Sequence, residues 1–294
     1  MSNRKLALLS LPVVLFAAPA TFAQGQQDFS AVQVKVHQVA GNVYYLEGAG
    51  GNVGLLVGDD GVLMIDDQFA PLTEKLVAAI RTLSTKPIRI LINTHIHGDH
   101  TGGNANIGAM GIDIVAHDNV RVRLAKGVNG GAPSPAVALP VMTFGDSMSL
   151  HLNGEDVTIG KLPPAHTDGD SYIHFPTADV LHVGDVFRTV GYPGVDGGNG
   201  GTVKGTLAEL QAIVDMAGPN TKIIPGHGVV STRADVAAFR ELTIELQKRF
   251  TDLIRQGMTL EQVVAAKPTA DLDEKYGSSE RFVPAFYNAL KAEL

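Results

Sequence analysis

The first third of the chain alternates between short apolar segments and turns. Between Val32 and Ile65 the apolar positions recur at β spacing, with Gly, Asn and Asp at the breaks. We predict four strands in this region, over 32–39, 43–47, 53–57 and 62–65. A helix is predicted over 72–83, because Pro71 precedes apolar residues at helical spacing. The continuous apolar run 88–92 predicts a strand that is buried on both faces.

The remainder of the chain continues with strands and ends in helices. Further strands are predicted over 112–116, 147–152, 156–162, 171–175, 180–183 and 222–224. Further helices are predicted over 118–126, 206–217, 233–256 and 284–294. A capping box at Thr259 and Gln262 predicts the start of one more helix. Residues 127–140 form a loop rich in Gly and Pro. Interleaved strands and helices without a linker-like stretch predict one α/β domain of sandwiched layers.

Residues 1–23 have the layout of a secretory signal peptide. The basic pair Arg4 and Lys5 precedes an almost unbroken apolar run, and small residues put cleavage after Ala20 or Ala23. The apolar run is short for a membrane span, which needs about 20 apolar residues. We therefore expect a periplasmic or secreted protein, with no membrane association after the signal peptide is cleaved.

Composition excludes several classes of protein. A chain of 294 residues with 45% apolar content and 18% charged residues has ample material for a buried core. The absence of cysteine excludes disulfides, thiolate ligands and a cysteine nucleophile. A net charge of −7 without a basic cluster argues against binding nucleic acid. We expect a small-molecule substrate, and the sequence is compatible with a homo-oligomer.

The strongest chemical signal follows the apolar run 88–92. Three imidazoles and a carboxylate fall within six residues of the sequence Thr-His-Ile-His-Gly-Asp-His, as His95, His97, Asp99 and His100. A loop that leaves a strand can direct these side chains into one pocket, and zinc accepts both ligand types. A lone histidine is usually a surface or core residue, but this density indicates a metal site.

Three later residues can complete the site, each at or just past the end of a predicted strand. In chain order they are His166, Asp185 and His227. Residues at the same end of several strands converge in space although they are far apart in sequence. Each signal is weak alone, since Asp185 and His227 also suit ordinary turns. Together they supply enough ligands for two metal ions.

The order of these motifs resembles the metallo-β-lactamase superfamily. The motifs are His-x-His-x-Asp-His, the histidine in Pro-Ala-His-Thr-Asp-Gly-Asp, then Gly-Asp, then Pro-Gly-His-Gly, within residues 32–230. The resemblance implies a four-layer αββα sandwich over residues 24–231, with a dinuclear site at one edge of the paired sheets. Residues 232–294 are then expected as a C-terminal helical extension packed on the same domain.

The resemblance also implies a role for each ligand. It assigns His95, His97 and His166 to a first zinc ion, Asp99, His100 and His227 to a second, and Asp185 as a bridge between them. Two neighbouring metal ions lower the pKa of a shared water and generate hydroxide near neutral pH. The implied function is hydrolysis of an amide or ester carbonyl by that hydroxide, with Asp99 as the catalytic residue that orients it.

The substrate is less well determined by the sequence. The segment around 166–185 is more like the zinc β-lactamases, whereas the ligand set is of the glyoxalase II or lactonase type. Arg188 can clamp a substrate carboxylate, although a solvated surface role suits it equally, and Asn199 is a candidate contact for the carbonyl. We expect a β-lactam first, and a lactone or thioester second. A non-catalytic periplasmic zinc-binding protein is the alternative outside enzymes, and iron is a minor alternative to zinc.

Other polar positions receive structural interpretations. The turn Gly50-Gly51-Asn52 is interpreted as a plain hairpin turn, with a flap over the site as the less favoured alternative. The histidines outside the motifs are expected to be structural: His37, His117, His151, His174 and His182.

Overall fold

Two β-sheets form the centre of the molecule in the computed structural model, which describes residues 28–294. The first sheet holds, in spatial and sequence order, β1 (Lys35–Ala40), β2 (Val43–Glu47), β3 (Val53–Gly58), β4 (Gly61–Ile65), β5 (Ile88–Ile92), β6 (Asp113–His117) and β7 (Met142–Phe144). The second sheet holds β8 (Ser147–Leu152), β9 (Glu155–Lys161), β10 (Ser171–Phe175), β11 (Val180–His182) and β12 (Lys222–Ile224), in the same order across the sheet. The signal peptide predicted over 1–23 lies outside the described residues.

Strand direction follows the length of the connections. Strands β1 to β4 and strands β8 to β11 pair antiparallel, mostly through short turns, with a longer connection over residues 162–170 between β9 and β10. The pairs from β4 to β7 and the pair β11–β12 are parallel, because a longer excursion returns the chain to the same edge of the sheet. A polar residue follows the carboxyl end of each of β4, β5, β11 and β12 within three positions: Asp66, Asn93, Asp185 and His227.

Helices cover the outer faces of both sheets. Within residues 28–294 they are α1 (Thr73–Leu83), α2 (Gly98–Thr101), α3 (Asn104–Ala109), α4 (Asp118–Lys126), α5 (Val203–Met216), α6 (Arg233–Arg255), α7 (Leu260–Ala266), α8 (Asp273–Tyr276) and α9 (Phe282–Glu293). Over this described part of the chain, none of the helices combines the length and the apolar character that a membrane crossing requires.

Among residues 28–294, three large apolar cores hold four layers together, and a fourth, small cluster packs α4 beside β6. The core between the sheets joins residues of the first sheet to residues of the second, among them Leu63, Ile92, Ile159 and Ile173. A second core packs α1 and α3 against the first sheet, through residues that include Met64, Leu76 and Ile107. The third packs α5, α6, α7 and α9 against the second sheet, through residues that include Leu181, Leu210, Leu246, Val263 and Phe286. The predicted αββα arrangement is therefore confirmed.

Some sequence-based expectations about elements are wrong. Strand β5 is buried only at its carboxyl end, since Arg89 is exposed and donates a hydrogen bond to the carbonyl of Asp60. The short elements β7, α2, α3 and α8 were not expected. Helices α2 and α3 lie in a segment rich in His and Gly, where intrinsic helix propensity is low. They are held instead by tertiary contacts, such as the bond from the Gly103 amide to the Asp67 carboxylate.

Candidate functional site

The predicted metal ligands meet at one edge of the paired sheets. His95 follows β5, and His97 immediately precedes α2, whose first turn carries Asp99 and His100. The second sheet contributes one ligand after each of three strands: His166 from the β9–β10 connection, Asp185 after β11 and His227 after β12. All seven residues named by the sequence therefore converge.

The first group contains His95, His97 and His166. One ring nitrogen of each lies within 4.8 Å of the other two. The closest approach, 2.8 Å, joins His97 Nδ1 to His166 Nε2. His95 and His166 are buried, and His97 is half-buried.

The second group contains Asp99, His100 and His227, whose donor atoms also lie within 4.8 Å of one another. His227 Nε2 is 3.1 Å from Asp99 Oδ2 and 3.4 Å from His100 Nε2. The His100 side chain is fully buried, whereas the other two side chains retain partial exposure. This group therefore has an open side and a closed side.

Asp185 lies between the two groups and presents a different oxygen to each. Its Oδ1 is 3.1 Å from His100 Nε2 and 3.3 Å from His227 Nε2. Its Oδ2 is 3.6 Å from His166 Nε2 in the other group. This is the arrangement that a carboxylate shared by two cations requires.

Hydrogen bonds on the outer side of each ring select the nitrogen that faces the cluster. His166 Nδ1 donates to the carbonyl of Gly194 at 3.0 Å, which leaves Nε2 as the acceptor. The Thr94 hydroxyl donates to Asp66 at 2.7 Å, so its oxygen accepts the bond from His95 Nδ1 at 3.0 Å. His95 Nε2 is thereby free to face the cluster. Such outer partners orient the ligands of metal sites.

Asp66 anchors a second ring as well. Its Oδ2 accepts a hydrogen bond from His100 Nδ1 at 2.7 Å, and its Oδ1 accepts one from the Thr94 amide at 2.8 Å. The sequence interpretation missed this residue. The available signal was its position directly after the strand 62–65, which is the same kind of position that identified the later ligands.

Asp196 performs the corresponding role for His97. Its Oδ2 accepts a bond from His97 Nε2 at 2.8 Å, so the ring presents Nδ1 to the cluster. This hydrogen bond holds the pKa of Asp196 well below its usual range. The residue lies in the Gly-rich segment 194–201, and nothing in its local sequence distinguishes it from an ordinary turn residue.

Burial and neighbouring charges give the cluster two kinds of ring next to ionised carboxylates. Although burial lowers the pKa of His100 and of His227, their contacts with Asp185, together with Asp66 for His100 and Asp99 for His227, raise it above its usual value. Burial lowers the pKa of His166 to about 3 and holds that of His95 well below its usual value. Burial raises the pKa of both carboxylates, but their neighbours outweigh it. The hydrogen bond from His227 helps to lower the pKa of Asp99 to about 2, and the Arg188 guanidinium and His100 hold that of Asp185 well below normal.

Two orphaned atoms show that this donor set fits a metal. His95 Nε2 and Asp185 Oδ1 are buried, and neither makes a hydrogen bond of acceptable geometry to a described residue, although Asp185 Oδ1 lies 3.1 Å from His100 Nε2. A buried polar atom without a partner costs about 1–3 kcal/mol. A divalent cation bound by neutral imidazoles and carboxylates would satisfy both atoms.

The Gly50–Asn52 turn packs behind His100. A Cβ on Gly51 would lie 2.1 Å from His100 Cε1, so only glycine fits there. The buried Asn52 side chain donates to the carbonyls of Pro225 and Gly228, on either side of His227. His182 contacts the Asn52 carbonyl at 3.1 Å, a structural role as expected. The turn joins the antiparallel strands β2 and β3, which agrees with the hairpin interpretation, and it also supports the site by packing against His100.

A pocket of about 600 Å³ opens over the cluster. One part of its lining is the segment 188–196, and another comes from the C-terminal region, through Ser278, Arg281, Phe282 and Ala285. Tyr192 joins the two parts, because its ring stacks on Phe282 at 4.6 Å and its hydroxyl donates to Asp273 at 2.6 Å.

The two predicted substrate contacts occupy different positions. Arg188 lines the pocket, and its Nη2 donates to Asp185 Oδ2. Asn199 is buried behind the cluster and is absent from the pocket lining. Its Nδ2 donates to Asp196 at 2.7 Å and to Asn129 at 3.0 Å. In this structure Asn199 supports the partner of His97, and its contact with a substrate carbonyl stays a prediction.

Comparison with known sequences identifies relatives. A sequence profile of the metallo-beta-lactamase superfamily matches residues 46–227, which include all seven ligands. A hydroxyacylglutathione hydrolase of Polaromonas sp. is 30% identical over 171 residues, 57% of this chain and 59% of that protein. The 2,4-dinitroanisole O-demethylase subunit alpha of Nocardioides sp. is 26% identical over 136 residues, 45% of this chain and 40% of that protein. The chain spans about half the length of the curated relatives it matches.

Comparison with solved structures supports the fold. The DIM-1 metallo-beta-lactamase superimposes with a TM-score of 0.62 at 19% identity, over 73% of this chain and 99% of that chain. A metallo-beta-lactamase from Pontibacter korlensis gives a TM-score of 0.62 at 18% identity, over 72% and 99%. At such identities the likeness concerns the fold alone, and it agrees with the expected sandwich.

Proposed function

The chain belongs to the metallo-beta-lactamase superfamily, and from that premise we propose that it is an exported hydrolase that uses two zinc ions. The bond it cleaves is an amide, ester or thioester. The observation that carries the proposal is Asp185, whose two oxygens face two separate groups of three ligands. A storage site needs no carboxylate shared in this way.

The residues of the cluster would hold the two ions as the sequence assigned them. His95, His97 and His166 would bind the first, Asp99, His100 and His227 the second, and Asp185 both. When bound, two such ions supply an activated water near neutral pH and polarise the carbonyl under attack. Zinc is favoured because it accepts this mixture of imidazole and carboxylate.

The chain's own residues contribute orientation and proton handling. Asp66, Thr94, Gly194 and Asp196 fix the rings, so that the ligand nitrogens need no rearrangement. Asp99 retains 29% exposure of its side chain and lines the pocket. With a pKa of about 2 it is ionised at neutral pH, and it can accept a hydrogen bond that orients the attacking water.

Two substrate classes lead the proposal. A β-lactam remains the first, with Arg188 as the expected partner of the substrate carboxylate. A thioester is the second, because a relative that is 30% identical is named as a hydroxyacylglutathione hydrolase. Lactones follow, and zinc binding without catalysis is the alternative outside enzymes. Small-molecule substrates, rather than nucleic acid, suit a pocket of about 600 Å³ in an acidic chain.

Metal analysis and turnover test the proposal together. The mature protein is purified, its metals are measured by elemental analysis, and hydrolysis of nitrocefin, S-lactoylglutathione and a homoserine lactone is followed with and without chelator. About two zinc ions per chain and chelator-sensitive turnover are expected. Two zinc ions without turnover would favour the zinc-binding alternative. One iron per chain without hydrolysis would overturn the proposal.

Export is tested separately, by the mature N-terminus and the cell fraction. Processing after Ala20 or Ala23 in a periplasmic or secreted fraction is expected. An intact N-terminus in the cytoplasmic fraction would contradict export and leave the chemistry unaffected.

A further inference from the structure

The pocket is lined by two cations with different surroundings. Arg188 is 20% exposed and is paired with Asp185, one of the proposed ligands. Arg281 lies immediately before α9 and is exposed. Within residues 28–294, the structure gives the Arg281 side chain no ion pair and no hydrogen bond.

The carboxylates of the lining are already engaged. Asp99 faces His227 at 3.1 Å, Asp185 faces Arg188 and His100, and Asp196 accepts from His97 at 2.8 Å. Each of these carboxylates thus has a partner of its own, and the Arg281 guanidinium has no ion-pair partner among the described residues. An anionic group on a bound molecule is the partner that it lacks.

The backbone that carries Arg281 is firmly held. Phe282, the next residue, stacks on Tyr192 at 4.6 Å and belongs to the core that joins α9 to the second sheet. At the other end of α9, the Glu293 carboxylate accepts bonds from the Val203 and Lys204 amides at 2.5 and 3.0 Å. The side chain is solvated, but its backbone is fixed relative to the pocket, so that binding has to order the side chain alone.

We infer that Arg281 is a specificity-determining residue, which binds a carboxylate on the substrate while the scissile carbonyl lies at the metal ligands. The inference rests on the proposed function and adds that the C-terminal helical region selects the substrate. It adds Arg281 to the expected Arg188, whose Nη2 donates to Asp185 and whose buried Nε has no hydrogen-bond partner among the described residues.

A matched pair of chromogenic esters tests the inference. The zinc-loaded protein is assayed with p-nitrophenyl hemisuccinate, which has a free carboxylate, and with p-nitrophenyl valerate, which is neutral and similar in size. For Arg281→Ala we expect KM for the hemisuccinate to rise about tenfold, and KM for the valerate to change less than about twofold. Arg281→Glu should lower the preference for the hemisuccinate over the valerate further.

Arg255→Ala is the control, since Arg255 is exposed at the end of α6 and is not part of the pocket lining. In this variant the ratio of kcat/KM for the hemisuccinate to kcat/KM for the valerate should equal that of the wild type. An equal effect of Arg281→Ala on both esters would overturn the inference and leave the proposed function standing.

A binding measurement separates failure of the inference from failure of the proposed function. If the wild type hydrolyses neither ester, the zinc-loaded protein is titrated calorimetrically with glutarate and with neutral glutaramide. Glutarate should bind the wild type about tenfold more tightly than it binds Arg281→Ala. If glutarate bound the wild type and Arg281→Ala with equal affinity, the assignment of Arg281 would be overturned, whatever the reaction proves to be.

Discussion

Asp99 and Asp185 have different environments, although both belong to the proposed ligand set. The Asp185 side chain is 4% exposed and enclosed by charged partners, whereas that of Asp99 is 29% exposed and faces the pocket. Removal of Asp99 should therefore perturb chemistry more than folding.

For Asp99→Ala we expect loss of turnover on every accepted substrate, because no other side chain replaces its hydrogen bond to the attacking water. The far-ultraviolet circular dichroism of the metal-free protein should match the wild type, while its thermal midpoint should fall slightly because the contact between Asp99 and His227 is lost. Rates equal to those of the wild type would refute the assigned mechanism.

Asp196 acts through His97, and its substitution tests that indirect role. Asp196→Asn leaves the shape but weakens the acceptor for His97 Nε2, so the ring is less firmly oriented. Metal affinity should fall about 10–100-fold, measured by competition with a chromogenic chelator. Asp215→Asn, on the exposed face of α5, is the matched control and should keep the wild-type affinity. An unchanged metal affinity of Asp196→Asn would show that Asp196 does not support the metal site.

Sequence motifs located ligands better than the residues that orient them. The seven proposed ligands were identified because imidazole and carboxylate types recur at strand ends. Thr94 and the Gly194 carbonyl orient rings through contacts made only in the folded chain, so their local sequence carries no corresponding signal. The pairing of Arg188 with Asp185 likewise depends on the loop conformation after β11.

At the scale of elements, most bounds were predictable to within a few residues because turns and caps are local. The capping box at Thr259 and Gln262 starts α7 as expected, and α6 ends next to Gly257. Helix α5 starts at Val203, three residues earlier than expected. Part of its N-terminal capping comes from Glu293, which is distant in sequence and therefore invisible to local patterns.

The contact between Glu293 and α5 leads to a stability prediction. The carboxylate accepts two backbone amides at the helix N-terminus, where a negative charge is also favoured. Glu293→Gln should lower the free energy of unfolding by about 0.5–1 kcal/mol, measured by urea denaturation. Glu280→Gln, which alters an exposed side chain outside the helices, should have no measurable effect. Equal stability of the two variants would show that the cap contributes nothing.

At the scale of the whole molecule, the layer order followed from the resemblance of the motifs to a known superfamily, whereas the buried ionisable groups were not predicted. Glu209 looks like an exposed helix residue, yet it is fully buried, and neither of its oxygens has a hydrogen-bond partner among the described residues. Burial, reinforced by Asp170, raises its pKa well above the usual value.

This buried acid should make stability depend on pH. Above about pH 4.5 the unfolded chain releases the Glu209 proton while the folded chain keeps it, so the group's contribution to stability falls as pH rises. The gain in unfolding free energy of Glu209→Gln over the wild type should therefore grow by up to about 1.4 kcal/mol per pH unit. Urea titrations of metal-free protein between about pH 5 and pH 8 measure it, with Glu280→Gln as control. A pH-independent difference would contradict the prediction.

Each group of three ligands draws residues from both sheets. His95 and His97 follow the first sheet and need His166 from the second, and Asp99 and His100 need His227 in the same way. An unfolded chain, or one sheet alone, offers only a fragment of either coordination shell. We therefore expect high-affinity metal binding only once the two sheets have packed together.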